Sequence, residues 1–557
     1  MSTTARVADD VGNFLDERVG ASKGVKFLFR KIFPDHWSFM LGEVALYSFI
    51  ILLLTGVFLT FFYVPSVGRT TYDGVYTPLA GQTVSEAYAS TLRLSFDVRG
   101  GMLMRQIHHW SALIFVAAIT VHMFRVFFTG AFRKPRELNW VIGTILALLA
   151  IVEGFAGYSL PDDLLSGTGL RIASSIILAV PVVGSYLSFF TFGGQFPGEA
   201  FIPRLYTVHV LVLPGIFLAL ITAHLILLVV QKHTQYPGPG RTNQNVVGYP
   251  LYPVYTAKAG GFFFIVFGVT ALMGALFTIN PVWMYGSYDP SPVTAGSQPD
   301  WYMGWLDGAV RLTPGLFEFT ALGFTFSFNI IIPAMIVPGL ITMAMLFYPW
   351  IEQWATGDRR EHHLLDRPRN APTRTGLGVM SITFYLLLLI SGGNDIIASQ
   401  LHLSINDITN TLRLLGLVLP PVAFVVTKRI CLGLQRKDRE KVLHGRETGT
   451  IYRTETGEFF EVHAPMDDVS RWKLVGYEPI RPLEPLPAYD EHGVRRHGSR
   501  LDGLRRRISR FYFEDRVEPV TPAELDAAHE EHEALPAHEE EERGAVTAST
   551  STPVGGD

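Results

Sequence analysis

The sequence predicts an all-α membrane protein with eight transmembrane helices. Its 557 residues are 48% hydrophobic and only 17% charged, whereas soluble domains carry roughly 25% charged residues. The deficit is concentrated in uncharged runs, each long enough to cross a hydrocarbon core roughly 30 Å thick. These runs are 44–68, 172–192, 259–288, 319–347 and 375–394. The composition excludes a water-soluble globular enzyme, and a net charge of −4 argues against a nucleic-acid-binding protein.

Hydropathy and charge together define the topology. The predicted spans are 38–64, 105–128, 139–160, 204–231, 258–281, 322–348, 376–394 and 408–432. With both termini cytoplasmic, the inside stretches hold 18 Lys and Arg in 105 residues, and the outside stretches hold 7 in 143. Because basic residues favour the cytoplasmic side, we expect eight spans in the cell membrane. The 172–192 run, interrupted by Pro181 and Gly184, is then a surface-lying segment or a hairpin.

Four regions follow from this topology. They are a cytoplasmic N-terminal segment (1–37), a four-helix transmembrane core (38–231), a C-terminal transmembrane domain (232–432) and a cytoplasmic tail (433–557). In the tail we predict a small hairpin at 449–463. The basic cluster Arg505, Arg506, Arg507 and Arg510 suits an anionic membrane surface. The acidic end at 529–543 is predicted to be disordered.

Histidines inside two spans are the main functional signal. His108 and His122 lie in the second span, and His209 and His224 in the fourth. An imidazole at lipid depth costs free energy unless it has a partner, so a functional role is the default. At about 100° per residue, gaps of 14 and 15 residues return to within about 40° and 60° of one face. His109 points away from His122, and we interpret it as structural or interfacial.

The two spans run parallel, so their histidines are predicted to face one another. His108 would meet His209 near the outer surface. His122 would meet His224 near the inner surface, roughly 21 Å away at 1.5 Å per residue. Two facing imidazoles are a natural axial pair for a haem iron, and we therefore predict two haem sites.

Glycines and arginines with matching positions support this interpretation. The first and third spans each carry two glycines 14 residues apart, Gly42 and Gly56, and Gly143 and Gly157. A flat macrocycle against a helix requires a missing side chain at the contact, although helix packing alone also favours glycine. Arg105 and Arg125 each lie three residues from a predicted ligand histidine. They suit haem propionates, and an ordinary interfacial position is the alternative.

Three motifs carry a family resemblance: IHHWSA with a second histidine 14 residues later, GYSLPDD after the third span, and QPDWYMGW after the fifth. With the order of the first four spans, they resemble cytochrome b, the membrane core of the quinol–cytochrome c reductase (cytochrome bc complex). The segment HWSFMLGEVALYSFI and the long tail are most similar to the actinobacterial branch. The resemblance covers about residues 30–440 and implies that the four-helix core holds two haems.

The resemblance also implies roles for individual residues. His108 and His209 would ligate a low-potential b haem on the outer side. His122 and His224 would ligate a high-potential b haem on the inner side. The four glycines occupy the family's haem-contact positions.

The two quinone sites follow from the same resemblance. The family's outer Pro-Glu-Trp-Tyr motif is Pro299, Asp300, Trp301 and Tyr302 here. Aspartate keeps the carboxylate that can accept a proton from quinol, with a shorter reach; a surface turn is the alternative. At the inner site Lys258 occupies a frequent lysine position, but Ala259 stands where an acid can follow. His233 is an alternative proton donor there.

The implied function is a quinol-oxidising subunit coupled to proton translocation. One electron would pass to a Rieske iron–sulfur subunit, and the other through both haems to an inner quinone. Cys431 is the only cysteine, so an iron–sulfur cluster or c-type haem must belong to partners. Menaquinone, a di-haem c-type cytochrome, a terminal haem-copper oxidase and a homodimer are expected from the actinobacterial resemblance.

Two other functions fit part of the sequence. A di-haem b anchor of another oxidoreductase needs neither the Pro-Asp-Trp-Tyr loop nor spans five to eight. A proton-coupled transporter predicts broken helices and paired acids at mid-membrane. The only good mid-span acid is Glu153, which has no obvious basic partner in the sequence.

Overall fold

The computed structural model describes residues 3–291, 298–453, 457–475, 482–484, 487–495, 499–514, 517–518, 520–521 and 523–528. Within these residues, eight helices are long and apolar enough to cross a membrane. They are span 1 (Trp37–Thr60), span 2 (Gly101–Phe128), span 3 (Glu137–Ser159), span 4 (Phe201–Val230), span 5 (Leu251–Leu276), span 6 (Phe328–Thr356), span 7 (Pro372–Gly392) and span 8 (Ile405–His444). The predicted all-α fold with eight spans is confirmed.

The bounds of the spans differ from the predicted ones by a few residues or more, and two of these differences have identifiable reasons. Span 6 begins at Phe328 because the apolar residues before it form an antiparallel hairpin, Glu318–Ala321 with Phe324–Ser327. Span 8 continues well beyond residue 432 as a charged helix, which a hydropathy pattern does not detect. Arg367 and Arg369 hold that extension through Asp438, at 3.1 and 3.0 Å.

The ninth apolar run does not form a span. It divides into the helices Leu164–Leu178 and Gly184–Phe192, separated by a turn that contains Pro181. The Asp163 side chain accepts hydrogen bonds from the backbone N–H groups of Leu165 and Ser166, which caps the first of these helices. The hairpin alternative is therefore the one observed.

The remaining elements are short and connect the spans. The other helices of eight or more residues are Thr3–Val19, Ala21–Phe29, Glu86–Phe96, Trp301–Leu312, Asn394–Leu401, Asp468–Val475 and Ser499–Tyr512. The remaining antiparallel strand pairs are Ile32–Phe33 with Tyr249–Pro250, Arg69–Thr71 with Thr83–Ser85, and Arg446–Arg453 with Phe459–Ala464. The last pair confirms the hairpin predicted in the tail.

An aromatic cluster lies at the centre of the first four spans. Phe49, Phe115 and Phe217 are buried, and their ring centroids are 5.5–5.7 Å apart. Each phenylalanine lies midway in sequence between the two predicted haem-contact glycines or ligand histidines of its own span. This cluster therefore forms an apolar layer between the two ends of the core.

The tail packs against the ends of spans 6 and 7. Tyr512 donates a hydrogen bond to the buried carboxylate of Glu352 at 2.9 Å, and Arg374 pairs with the same carboxylate at 2.7 Å. Arg505 of the predicted basic cluster donates to the Trp354 carbonyl at 2.8 Å. The predicted disordered end at 529–543 lies outside the described residues.

Candidate functional site

The predicted histidines come together across the core. The ring centroids of His108 and His209, here called the first pair, are 6.3 Å apart. Metal–imidazole bonds of about 2.0–2.1 Å would separate two axial rings by roughly 6 Å, so this spacing fits an iron between them. His122 and His224, the second pair, are close enough to interact electrostatically.

A wide helical turn aligns span 4 with span 2. Residues Val208–Val212 form a π-helical turn that contains His209. Such a turn accommodates one extra residue, so the 15-residue gap to His224 has nearly the phase of the 14-residue gap in span 2. The sequence pattern shows the unequal gaps but not the turn that compensates for them.

Each of the four predicted glycines lies against one histidine ring. A Cβ atom at Gly157 would be 2.5 Å from the His209 ring, and one at Gly56 would be 3.3 Å from His108. In the second pair the distances are 3.2 Å from Gly42 to His122 and 3.7 Å from Gly143 to His224. The glycines thus provide the space in which the rings lie, and Gly157 is the most restrictive.

Polar groups hold the first pair. The Thr55 hydroxyl is 2.9 Å from Nδ1 of His108. Oε1 of Glu153 is 3.0 Å from Nδ1 of His209, an ion-pair contact without hydrogen-bond geometry, so this acid has a partner that the sequence did not indicate. A partner at Nδ1 leaves Nε2 available to a metal and fixes the orientation of the ring.

The second pair has no hydroxyl or carboxylate partner of this kind among the described residues. Nδ1 of His122, like Nδ1 of His209, is buried without a hydrogen bond, and His224 lies within reach of the Asn139 backbone. The guanidinium of Arg125 lies over the Phe39 ring at 4.3 Å, and its Nε and Nη2 are also unsatisfied. Buried donors without acceptors suit an anionic group that the chain itself does not supply.

Arg105 occupies the corresponding position beside the first pair. It donates to the Asn280 carbonyl at 2.5 Å, while its Nη1 is buried without a partner in the described structure. Both arginines therefore retain donors for a carboxylate such as a propionate.

A carboxylate cluster adjoins the first pair. Asp300 follows Pro299 and precedes the helix Trp301–Leu312, and its Oδ2 is 3.3 Å from both the Tyr302 hydroxyl and Nε2 of His109. The Asp300 side chain is 19% exposed and Tyr302 is 2% exposed, which disfavours a simple surface turn. His109, interpreted from the sequence as structural, faces this carboxylate.

Span 3 connects the cluster with the first pair. Glu153 contacts His209, and the next residue, Gly154, lies against the Tyr302 hydroxyl, 2.5 Å from the Cβ position. The histidine pair and the carboxylate cluster therefore form one continuous site.

The predicted inner-site residues lie near the second pair. Lys258 forms a salt bridge with Asp35, which supplies the acid missing at Ala259. His233 is buried, with its ring 4.3 Å from that of Phe33. Burial and the positive charges of Lys31 and Arg136 lower the pKa of His233 to about 3, so it is neutral at pH 7.

A second acid near the second pair, Glu43, was not predicted from the sequence. Glu43 accepts hydrogen bonds from Tyr255 and, at 3.1 Å, from Tyr47. It follows Gly42, the glycine beside His122. Because Glu43 and Glu153 are acids within apolar spans, each was a functional candidate from the cost of burying a carboxylate in a membrane.

Comparisons with known proteins agree with this arrangement. A family model described as "Cytochrome b(N-terminal)/b6/petB" matches residues 113–287. The "Cytochrome bc1 complex cytochrome b subunit" of Streptomyces coelicolor is 55% identical over 95% of this chain and 97% of its own length. Its namesake from Mycobacterium tuberculosis is 52% identical over 84% of each chain. The chain belongs to the cytochrome b family of the bc1 complex.

Structure comparison finds a similar fold in a known protein. A chain titled "Hyperthermophilic respiratory Complex III" aligns with a TM-score of 0.56 at 20% identity, over 76% of this chain and 99% of that one. Membership in the cytochrome b family makes the chain a membrane electron-transfer subunit.

Proposed function

We propose that this chain oxidises quinol at the Asp300 cluster and conducts one electron through two b haems to a quinone site at the opposite surface. The observation that carries the proposal is the presence of two histidine pairs at opposite ends of one helical core, each facing two glycines. One iron between each pair would be held by His108 and His209, and by His122 and His224.

The haems would supply one-electron carriers at two depths, and the chain supplies their environment. The histidines would bind and orient the haems, and the arginines have free donors for propionates. The phenylalanine layer would exclude water between the two sites. A low-dielectric layer of this kind strengthens electrostatic differences between the two ends of the core.

At the outer site, the carboxylate of Asp300 is the proposed general base. Oxidation of a quinol releases two protons and two electrons, and a carboxylate within hydrogen-bonding reach can accept one proton. Tyr302 and His109 orient this carboxylate through Oδ2. Pro299 sets the start of the following helix.

At the inner site, protons are taken up when quinone is reduced. Lys258 and His233 are the proposed binding residues, with Asp35 as the acidic partner of Lys258. The carboxyl group of Glu43 and the hydroxyl of Tyr255 form a hydrogen-bonded pair beside the second histidine pair, and they are the proposed proton donors.

The partners and orientation belong to the same proposal. The names of the relatives support assembly into a bc1 complex, with a Rieske subunit and a c-type cytochrome. Menaquinone as substrate, a homodimer and association with a terminal oxidase are further expectations. The excess of Lys and Arg in the predicted inside stretches supports cytoplasmic termini.

A redox titration followed at the visible α-band tests the proposal. Wild type should show two b-type haem steps, His108→Ala should lose one, and His122→Ala should lose the other. His109→Ala, which alters a neighbouring histidine outside the pairs, should keep both. Absence of haem from well-folded wild-type protein would refute the proposal and favour the transporter alternative.

A further inference from the structure

The helix Trp301–Leu312, here called the cluster helix, packs backbone to backbone against span 7. A Cβ atom at Gly308 would lie 1.8 Å from the Leu388 carbonyl oxygen. One at Gly392 would lie 2.3 Å from the Gly304 carbonyl oxygen. Because glycine alone permits such a close approach of two backbones, a displacement of span 7 would move the cluster helix with it.

One carboxylate, that of Asp395, contacts both ends of the cluster helix. Asp395 belongs to the helix Asn394–Leu401, which follows span 7. Its Oδ1 accepts a hydrogen bond at 2.7 Å from Nε2 of Gln298, two residues before Asp300. The same oxygen is 2.9 Å from Nη1 of Arg311, in the last turn of the cluster helix. Asp395 thus joins the segment that precedes the proposed base to the far end of the helix that follows it.

Further groups hold Arg311 and the end of the helix. Nη2 of Arg311 is 2.9 Å from Oδ2 of Asp307, and its Nη1 donates to Oδ1 of Asn394 at 2.8 Å. The side chains of Arg311, Asp307 and Asp395 are 25%, 13% and 22% exposed, and partly buried ion pairs are screened less than exposed ones. Arg413 of span 8 donates to the carbonyl group of the last residue of the cluster helix at 2.7 Å. The helix is therefore fixed at its start, along its length and at its end.

We propose that Asp395, together with Arg311, is a positioning residue for quinol oxidation. It fixes the cluster helix against span 7 and so sets the distance between the Asp300 carboxylate and the bound quinol. Its effect is transmitted through Gln298 and the helix. A misplacement of about 1 Å can slow a reaction about 100-fold, so a contact at both ends of the helix has a large effect on the rate. This inference rests on the proposed function, because it concerns the same quinol site.

Reduction of the first haem by quinol, measured before steady state in the intact complex, tests this role. Asp395→Asn keeps the shape of the side chain but removes its charge, and should slow this reduction roughly tenfold. Haem content and both midpoint potentials should match those of wild type. Arg311→Gln should have a similar effect, and Arg311→Lys, which keeps the positive charge, should restore part of the rate. The matched control is Asp73→Asn, which removes an exposed ion pair with Arg93 (2.6 Å) in the loop between spans 1 and 2 and should leave the rate unchanged.

A double variant distinguishes positioning from a general structural role. When Asp395→Asn is added to Asp300→Asn, reduction should slow no further, because the base that Asp395 positions is already absent. A purely structural role would instead multiply the two effects. Gln298→Ala removes only the link between Asp395 and the segment before Asp300, and should slow reduction about fivefold, on the scale of one hydrogen bond.

The possible failures are distinguishable. An unchanged rate in Asp395→Asn, or multiplied effects in the double variant, would overturn the inference. If Asp395→Asn does not assemble, an unchanged rate in Gln298→Ala overturns it in the same way. Failure of quinol to reduce the first haem in wild type would refute the proposed function itself, and this inference with it.

Discussion

The two histidine pairs share a plan but differ in what surrounds them. In the first pair, Nδ1 of each histidine has a polar neighbour, Thr55 for His108 and Glu153 for His209. In the second pair, no hydroxyl or carboxylate among the described residues forms a hydrogen bond or ion pair with either Nδ1. The glycine contact is also tighter at Gly157 than at Gly143.

This difference shows how one helical core can provide two unequal redox sites. A carboxylate beside a ligand imidazole favours the more positive, oxidised iron, and hydrogen bonding at Nδ1 raises ligand basicity. The first pair is therefore expected to hold the haem of lower potential. Electrons would then pass toward the second pair, away from the carboxylate cluster at Asp300.

Substitution of the glycines should give the largest difference between the two pairs. Gly157→Ala places a methyl group 2.5 Å from the His209 ring, whereas Gly143→Ala meets His224 at an ordinary 3.7 Å. We expect Gly157→Ala to lose the first haem and Gly143→Ala to keep both. Haem content per chain, measured from the pyridine haemochrome spectrum, checks this. Equal haem content in the two variants would contradict the assigned close contact.

Substitution of Asp300 in the carboxylate cluster gives the next largest expected effect. Asp300→Asn removes the proposed base, so quinol oxidation should slow by about 10²–10⁴-fold, with both haems retained. Asp300→Glu keeps a carboxylate and serves as the matched control. Pre-steady-state haem reduction by quinol measures the rate, and an unchanged rate in Asp300→Asn would exclude this carboxylate as the base.

At the other end, Glu43→Gln tests the acid that accepts hydrogen bonds from two tyrosines. Loss of a proton donor should slow quinone reduction at least about tenfold, while reduction of the haems by quinol is preserved. Tyr47→Phe removes one hydrogen bond but keeps the carboxylate, and should have a much smaller effect. Reoxidation of the second haem by quinone is the measurement. Slowing of both half-reactions would instead indicate a structural role.

The smallest effect is expected at Glu153. Glu153→Gln removes the negative charge beside His209, so the midpoint potential of the first haem should rise by roughly 30–60 mV, on a scale of 59 mV per tenfold change. The potential of the second haem should not change. A redox titration resolves the two steps, and a fall in the first potential would contradict the proposed influence of the carboxylate.

Much of this site was predictable because helical geometry is local. The 14-residue repeats of histidine and glycine specify which residues share a face, and a buried imidazole needs a partner whatever the fold. Glu153 and Glu43 were visible as acids in apolar spans, but their partners are on other helices. The sequence therefore indicated the histidine pairs and not the groups that distinguish one pair from the other.

The sequence by itself determined the number of spans and the spacing of the histidines and glycines along them, since these depend on hydropathy and the rise of a helix. Only the tertiary structure decided that His109 faces Asp300, that Asp35 replaces the missing acid beside Lys258, and that the π-helical turn at Val208–Val212 aligns span 4 with span 2. These features depend on how the helices rotate and pack against one another. Contacts between residues distant in sequence set that packing, and no local pattern records it.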